Sequence, residues 1–260
     1  MELRRVEDLV AVNPYTRTKR CPARSHNRWS LAWIVAMLLE EAQWLSRHLS
    51  DLRSDDLYPM CNIGSSTENY RRLDQPYIDK YLFEPARMKK LKVVHVDAKD
   101  APGVDLVADL TDPDLPVRLA KLNVRSVMCC NLLEHVSDRV IVRDVILSIL
   151  KPGGYLIATV PYRFPYHEDP IDTMYRPTVA EVAALFPGTS VHRAAIVRAS
   201  RFAHEMQSNY RALCRMMVRS ATPFYRPRGW WTNVRRLGEI VAGYKVTCVI
   251  LRKLDGRFSK

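Results

Sequence analysis

The sequence predicts an α/β fold in which helices cover an open, nucleotide-binding type of sheet. Short runs of β-branched and apolar residues alternate with segments of helical spacing along most of the chain. Several of these runs end in Gly, Asp or Asn. Parallel sheets of this class place their ligands at the carboxyl ends of the strands, so these polar endings indicate a ligand site.

Length and composition limit the classes of function that the chain can have. The chain has 260 residues, enough for one α/β domain with additions, and 47% of them are hydrophobic. Its net charge of +12 favours an anionic partner: nucleic acid, a phosphorylated substrate or an anionic membrane surface. The six cysteines form neither a CxxC pair nor a zinc spacing, which favours a reducing cytoplasm, with no disulfide framework and no metal site.

The first strand ends in a glycine turn. The segment Tyr58–Glu68 reads as a short buried strand that breaks at Gly64 and continues into a helix. Gly64 lets a ligand approach the backbone, and Ser65 and Ser66 precede a helix whose first N–H groups are unpaired. A single glycine is also common in ordinary turns, so this segment gains weight only from the strands that follow.

Four later segments extend the same pattern. An acid ends the run Val93–Asp97 and can accept hydrogen bonds from ribose hydroxyls. The run 104–110 places Asp109 before Leu110, and the run 126–136 passes from a strand into Asn131 and a helix. A helix then stops at a Pro-Gly-Gly turn, and a fifth strand covers 155–160 and ends at Pro161.

These segments together resemble the class I S-adenosylmethionine-dependent methyltransferases, and most closely the branch called methyltransferase type 11. The motifs that carry the resemblance lie within about residues 57 to 186: Asn62-Ile63-Gly64-Ser65-Ser66, Val96-Asp97, Ala108-Asp109-Leu110, Leu133-Glu134-His135-Val136 and Leu150-Lys151-Pro152-Gly153-Gly154. The resemblance implies a Rossmann-like sheet of seven strands, mostly parallel with the last antiparallel, with helices on both faces. It also implies S-adenosyl-L-methionine as cofactor, bound by Asn62, Gly64, Ser65, Ser66, Asp97, Ala98, Asp109, Leu110 and Asn131.

The first motif departs from the family pattern. Asn62 stands where the family usually has an acid, and Ser66 and Glu68 stand where it has its second and third glycines. An asparagine can bind an ammonium group through its amide oxygen but carries no charge. This departure leaves open that the chain is a catalytically inactive, methyltransferase-like interaction protein.

The loop after the fifth strand is the expected acceptor site. Between Pro161 and Thr178 it is rich in aromatic and charged residues, and it follows the carboxyl end of a strand. We predict His167 as a general base that Asp172 orients, with Tyr162, Tyr166 and Arg176 as substrate contacts. The alternative is a polar network that only folds the loop. For His135 we favour a structural role, pinning its helix to a loop, over a catalytic one.

The remaining segments complete the domain plan. We predict an N-terminal arm and cap helix over 1–52, the helix itself covering 29–52, and a methyltransferase core over 53–200. The final strand of the core lies in 243–260, after a basic insertion over 201–242. Within that insertion, 202–236 combines an amphipathic helix with Arg- and Trp-rich sequence, which suggests a peripheral membrane contact, a lid or a phosphate-binding surface. An ordinary packed helix with a solvated face, and a homodimer contact through the cap helix, remain open.

The function that these features favour is methylation of a small molecule, at a hydroxyl of a sugar, glycan precursor or natural product. A lipid-linked substrate would fit a cytoplasmic enzyme placed at the inner face of the membrane. The enzymatic alternative is RNA methylation, prompted by the charge. No recognisable RNA-binding module supports it, and Cys130-Asn131-Leu132-Leu133 replaces the segment expected of base amino-group methyltransferases.

Overall fold

The described residues form one seven-stranded sheet of order β3-β2-β1-β4-β5-β7-β6. The structure is a computed structural model that describes residues 37–164, 171–199, 214, 217–218 and 243–255. Strands β1 to β5 pair in parallel, and β7 runs antiparallel to both of its neighbours. This order and strand direction are those of the class I methyltransferase fold, so the predicted fold class is confirmed.

The strands lie close to the predicted runs. Their bounds are Met60–Ile63 (β1), Val93–Asp97 (β2), Leu106–Val107 (β3), Ser126–Cys130 (β4), Tyr155–Arg163 (β5), Thr189–Ala199 (β6) and Tyr244–Lys253 (β7). In the central register, Ile63 of β1 lies between Val96 and Cys129 of its two neighbours. The ends of β1, β2 and β4 therefore meet at one edge of the sheet, beside the Gly64 turn.

Helices cover both faces of the sheet. They are Leu39–Ser50 (α1), Ser54–Leu57 (α2), Pro76–Ile78 (α3), Glu84–Met88 (α4), Leu115–Ala120 (α5), Arg139–Ile149 (α6) and Val179–Leu185 (α7), with π-helical turns at Tyr70–Asp74 and Asp79–Phe83 and a 3-10 turn at Leu133–His135. Apolar residues of α5, α6 and α7 pack on one face against Cys61, Ile63 and Leu156. Those of α1 to α3 pack on the other face against Met60, Met128 and Ile157.

Local capping explains where several helices begin. Thr178 accepts a hydrogen bond from Glu181 N at 3.2 Å, while the Glu181 carboxylate accepts one from Thr178 N at 2.7 Å. This reciprocal pair starts α7. Asp138 likewise accepts from Val140 N at 2.9 Å and starts α6. Between the π-helical turn at Tyr70–Asp74 and α3, the Gln75 backbone (φ −135°, ψ 69°) separates two helical stretches.

Three predicted bounds are wrong in detail. The cap helix begins at Leu39, because Leu38 is extended (φ −84°, ψ 151°); residues 29–36 lie outside the described part of the chain. The third strand is reduced to Leu106–Val107. The fifth strand continues past Pro161 to Arg163: the β4 ladder has ended at Thr159, so a residue without an N–H is tolerated on that side, while Pro161 still pairs with Val246 of β7. No helix among the described residues is long and apolar enough to cross a membrane.

Candidate active site

The turn after β1 has the conformation that its glycine predicts. Gly64 has a φ of +69°, and a Cβ added to it would lie 3.1 Å from Leu132 Cδ1. The N–H groups of Gly64 and Ser65 both donate to the Val96 carbonyl, at 2.9 and 3.1 Å. The turn is thus fixed to the neighbouring strand, and the absence of a side chain at Gly64 lets Leu132 pack closely against its backbone.

Asp97 organises this turn as well as ending β2. Its Oδ2 accepts a hydrogen bond from Ser66 N at 2.6 Å, and its Oδ1 accepts one from Lys99 N at 3.0 Å. Ser66 has a φ of +54°, a left-handed conformation that this bond helps to hold. Each carboxylate oxygen has a second lone pair, so Asp97 can still accept hydrogen bonds from a ligand.

Arg71 is a structural residue that holds the glycine turn in place. Its buried guanidinium donates to the carbonyls of Ser65 at 2.8 Å, Ser66 at 2.7 Å and Gly103 at 2.7 Å. Burial lowers the pKa of this guanidinium, and the acids around it oppose the shift. Gly103 (φ +83°) is required here, because a Cβ would lie 2.5 Å from Glu68 Cβ. The arrangement ties the glycine turn to the loop after β2.

A cavity of about 420 Å³ lies at the carboxyl edge of β1, β2 and β3. Its walls bring together five of the nine predicted cofactor residues: Gly64, Asp97, Ala98, Asp109 and Leu110. The opposite wall comes from the segment after β4 and from the start of α6, including Leu132, His135 and Ile141. The lining is largely apolar with a few carboxylates, as small-molecule sites usually are.

Asp109 lies exposed at the far side of this cavity. Its Oδ1 accepts from both the N–H and the hydroxyl of Thr111, at 2.8 Å each. This local turn fixes the carboxylate beside Leu110, and its remaining lone pairs are available to a ligand.

Asn62 faces away from the cavity. Its buried side chain donates from Nδ2 to His95 Nδ1 at 3.1 Å, on the neighbouring strand β2. Burial, and then the charge of Arg71, lower the pKa of His95 to about 4, so the ring is neutral and Nδ1 accepts. The predicted cofactor residues Asn62, Ser65, Ser66 and Asn131 are therefore not cavity-lining; Ser65 is buried and donates its hydroxyl to the Ser66 carbonyl at 3.2 Å.

Asn131 follows β4 and binds a glutamate that the sequence did not single out. Its Nδ2 donates to Glu41 Oε1 at 3.0 Å, and the second Glu41 oxygen accepts from Leu38 N at 3.1 Å. Glu41 is completely buried, and this burial raises its pKa to about 7, against the lowering effect of its hydrogen bonds. Helix α1 thus brings an ionisable carboxyl to the end of β4.

The Leu133–Val136 motif places a second buried acid nearby. Glu134 is completely buried, and neither of its carboxyl oxygens has a hydrogen-bond partner among the described residues. Burial raises its pKa to about 8. His135 Nδ1 donates to the Ile171 carbonyl at 2.6 Å, while its Nε2 lies 3.8 Å from Glu134 Oε1, too far for a hydrogen bond. This bond to residue 171 agrees with the structural role favoured for His135.

In the described part of the acceptor loop, Asp172 and Arg176 form an ion pair. Arg176 donates to both Asp172 oxygens, at 3.1 and 2.6 Å, and Met174 N donates to Oδ1 at 2.8 Å. Tyr162 lies half-buried near the end of β5. His167 and Tyr166 lie outside the described residues, as does nearly all of 202–236. The roles predicted for these residues as base, orienting group and substrate contacts stay predictions.

Comparisons with known proteins find solved structures of similar fold. No protein-family model matches the chain, and no curated protein matches it significantly. Among solved structures, the cyclase SpnF is 15% identical and aligns over 82% of this chain and 83% of its own, with a TM-score of 0.47.

Two further solved structures are similar to the same degree. Coclaurine N-methyltransferase bound to N-methylheliamine and SAH is 13% identical over 82% of this chain and 71% of its own, with a TM-score of 0.43. An SAM-dependent methyltransferase from Archaeoglobus fulgidus is 13% identical over 82% of this chain and 94% of its own, with a TM-score of 0.42. At such identities the likeness does not extend to substrate or activity, and the strand order itself identifies the fold.

Proposed function

We propose that this protein is an S-adenosylmethionine-dependent methyltransferase that acts on a small molecule. The observation that carries the proposal is the cavity at the carboxyl edge of the sheet, where the Gly64 turn, Asp97 and the Asp109–Leu110 pair converge. A glycine turn, an acid on the next strand and a third strand end are the elements that hold a nucleoside in α/β folds.

The residues present suit this cofactor. Asp97 would accept hydrogen bonds from the ribose hydroxyls through the lone pairs that Ser66 and Lys99 leave available. Asp109 would face the amino group of the adenine, with Leu110 against its ring. The Gly64 backbone, which lines the cavity, would lie along the part of the cofactor that leads from the ribose towards the end of β4.

The finer proposal concerns the acceptor, a hydroxyl of a sugar, glycan precursor or natural product. S-adenosylmethionine supplies an electrophilic methyl group, so the protein has to hold the acceptor oxygen in line and remove its proton. His167 is the proposed base, and Tyr162, Tyr166 and Arg176 are proposed to hold the acceptor. The Asp172–Arg176 ion pair supports a polar binding surface after β5, because two charged groups with short mutual bonds stay fixed there.

Transfer of a radiolabelled methyl group tests both levels. The purified protein would be incubated with labelled S-adenosylmethionine and, in turn, with sugars, lipid-linked glycans, phenolic natural products and transfer RNA. Labelled product from a sugar or natural product, reduced at least tenfold in His167→Ala, supports the proposal. Label in RNA would move the function to the nucleic-acid class that the charge of +12 suggested.

One observation favours a second candidate, an inactive methyltransferase-like interaction protein. Asn62, which replaces the acid of the first motif, is engaged by His95 rather than directed at the cavity. A folded protein that binds neither S-adenosylmethionine nor S-adenosylhomocysteine would select this candidate. The 202–236 segment, proposed as a peripheral membrane contact, would then be the first place to seek a partner.

A further inference from the structure

Two buried acids at the end of β4 are not used by the proposed function. Glu41 from α1 and Glu134 from the 3-10 turn are both completely enclosed. Glu41 accepts hydrogen bonds from Asn131 Nδ2 at 3.0 Å and from Leu38 N at 3.1 Å. Glu134 has no hydrogen-bond partner for either oxygen among the described residues, although unpartnered buried carboxyls are costly.

The charges around the two acids do not balance within the described residues. Arg176 lies close enough to influence Glu134, but it already binds both oxygens of Asp172. His135 directs Nδ1 to the Ile171 carbonyl and holds Nε2 3.8 Å from Glu134. The negative charge of Glu41 also opposes the ionisation of Glu134, and this repulsion contributes to the raised pKa of Glu134. Counting Asp172 against Arg176 leaves two carboxyls in excess.

The acids adjoin the ligand cavity. Leu132, just before the turn that carries Glu134, and His135, within that turn, line its wall, and Leu132 also packs on Gly64. Asn131, which holds Glu41, begins the same segment. A cation that reaches this end of the cavity lies beside enclosed carboxyls, where charges attract more strongly than in water.

We infer that Glu41 and Glu134 form a recognition site for an organic cation carried by the bound ligand. The inference rests on the proposed function, because S-adenosylmethionine offers two such groups, a sulfonium and an α-ammonium. Asn62 supplies no charge and is turned towards His95, whereas Glu41 and Glu134 are the enclosed acids at the end of β4.

Three probes separate the possible sources of the cation. S-adenosylmethionine carries both the sulfonium and the ammonium, S-adenosylhomocysteine carries only the ammonium, and 5′-methylthioadenosine carries neither. All three share the adenosine that Asp97 and Asp109 are proposed to hold. Binding of each would be measured by calorimetry at pH 8 for the full chain and for Glu41→Gln and Glu134→Gln. Glu84→Gln makes the same change at an exposed position on α4 as the control.

The outcomes are distinct. We expect the two variants to lose about tenfold or more in affinity for S-adenosylmethionine while 5′-methylthioadenosine binds as before. A parallel loss for S-adenosylhomocysteine assigns the site to the ammonium, and its absence assigns the site to the sulfonium. Unchanged affinities, or equal losses for all three probes, overturn the inference alone. Failure of the unmodified protein to bind any probe overturns the proposed function and the inference with it.

Glu134→Gln can decide the matter by itself. Its amide copies the size and neutrality of the protonated acid, and no hydrogen bond among the described residues is broken by the change. Glu41→Gln replaces one of two accepting oxygens and tests the pair from the side of α1.

Discussion

Replacing Glu134 by glutamine should change how the stability of the protein depends on pH. The buried carboxyl has a pKa of about 8 in the folded protein, against about 4.3 in an unfolded chain. Between these values the folded state holds a proton that the unfolded state has lost. The contribution of Glu134 to stability is therefore complete below about pH 4 and declines as the pH rises towards 8.

The slope of this decline does not depend on the size of the pKa shift. One proton held only by the folded state lowers the free energy of unfolding by about 1.4 kcal/mol per pH unit. Glutamine does not titrate, so the free energy of unfolding of Glu134→Gln should rise by nearly 3 kcal/mol relative to that of the unmodified protein between about pH 5.5 and 7.5. Contributions from Glu41 and His95 are common to both proteins and largely cancel in the difference.

Urea unfolding at pH 5.5, 6.5 and 7.5 measures this difference. Glu134→Gln should already be ahead at pH 5.5, because the carboxyl of the unfolded chain is ionised there, and its advantage should grow by about 1.4 kcal/mol per pH unit up to pH 7.5. Glu84→Gln, at an exposed position on α4, should show a constant difference. A constant difference for Glu134→Gln as well would mean that the carboxyl is not neutral in the folded protein, and the account of the buried acids would be wrong.

Three further predictions follow from the same site. Gly103→Ala should lower the free energy of unfolding, measured in urea, by about 3 kcal/mol, because Gly103 has a positive φ and a Cβ there would lie 2.5 Å from Glu68 Cβ. Gly188 also has a positive φ but has open space around it, so Gly188→Ala should lower the free energy of unfolding by about 1 kcal/mol. Arg71→Lys keeps the charge but cannot reach three carbonyls at once, so it should lose about 3 kcal/mol of stability and weaken nucleoside binding; equal binding would argue against its role in holding the turn. Calorimetry at pH 7 in two buffers of different ionisation enthalpy should show proton release when S-adenosylmethionine binds. The pKa values of Glu41 and Glu134 lie at about 7 and 8, so a nearby cation should ionise these acids. Binding without proton release, or with proton uptake, would contradict this prediction.

The fold could be predicted because its signals are local. Runs such as Val93–Asp97 and the Pro152-Gly153 stop each carry their own pattern, and the strands appear within a few residues of those runs. The exceptions depend on neighbours: Pro161 continues a strand only because β4 has already ended beside it. Nothing in the sequence around Pro161 reports where another strand stops.

The candidate site was predictable where a residue's place in the chain determines its place in space. Gly64, Asp97 and Asp109 follow strands of one parallel sheet, so they converge on one cavity. Glu41 and Asn131 are separated by 90 positions, and no local pattern couples them. The direction of the Asn62 side chain could not be predicted either, because it is set by a hydrogen bond to His95 on the next strand.

Binding of S-adenosylhomocysteine decides whether the cavity beside Gly64 and Asp97 is the cofactor site. Calorimetric titration of the full chain, of Asp97→Asn and of Asp56→Asn compares an acid in the cavity with an exposed acid at the opposite edge of the sheet. Thermal unfolding would establish that all three proteins are folded. The account predicts micromolar binding that weakens by about tenfold or more in Asp97→Asn and is unchanged in Asp56→Asn. No binding by the folded protein, or binding that ignores Asp97, would contradict the assignment of this cavity to the cofactor.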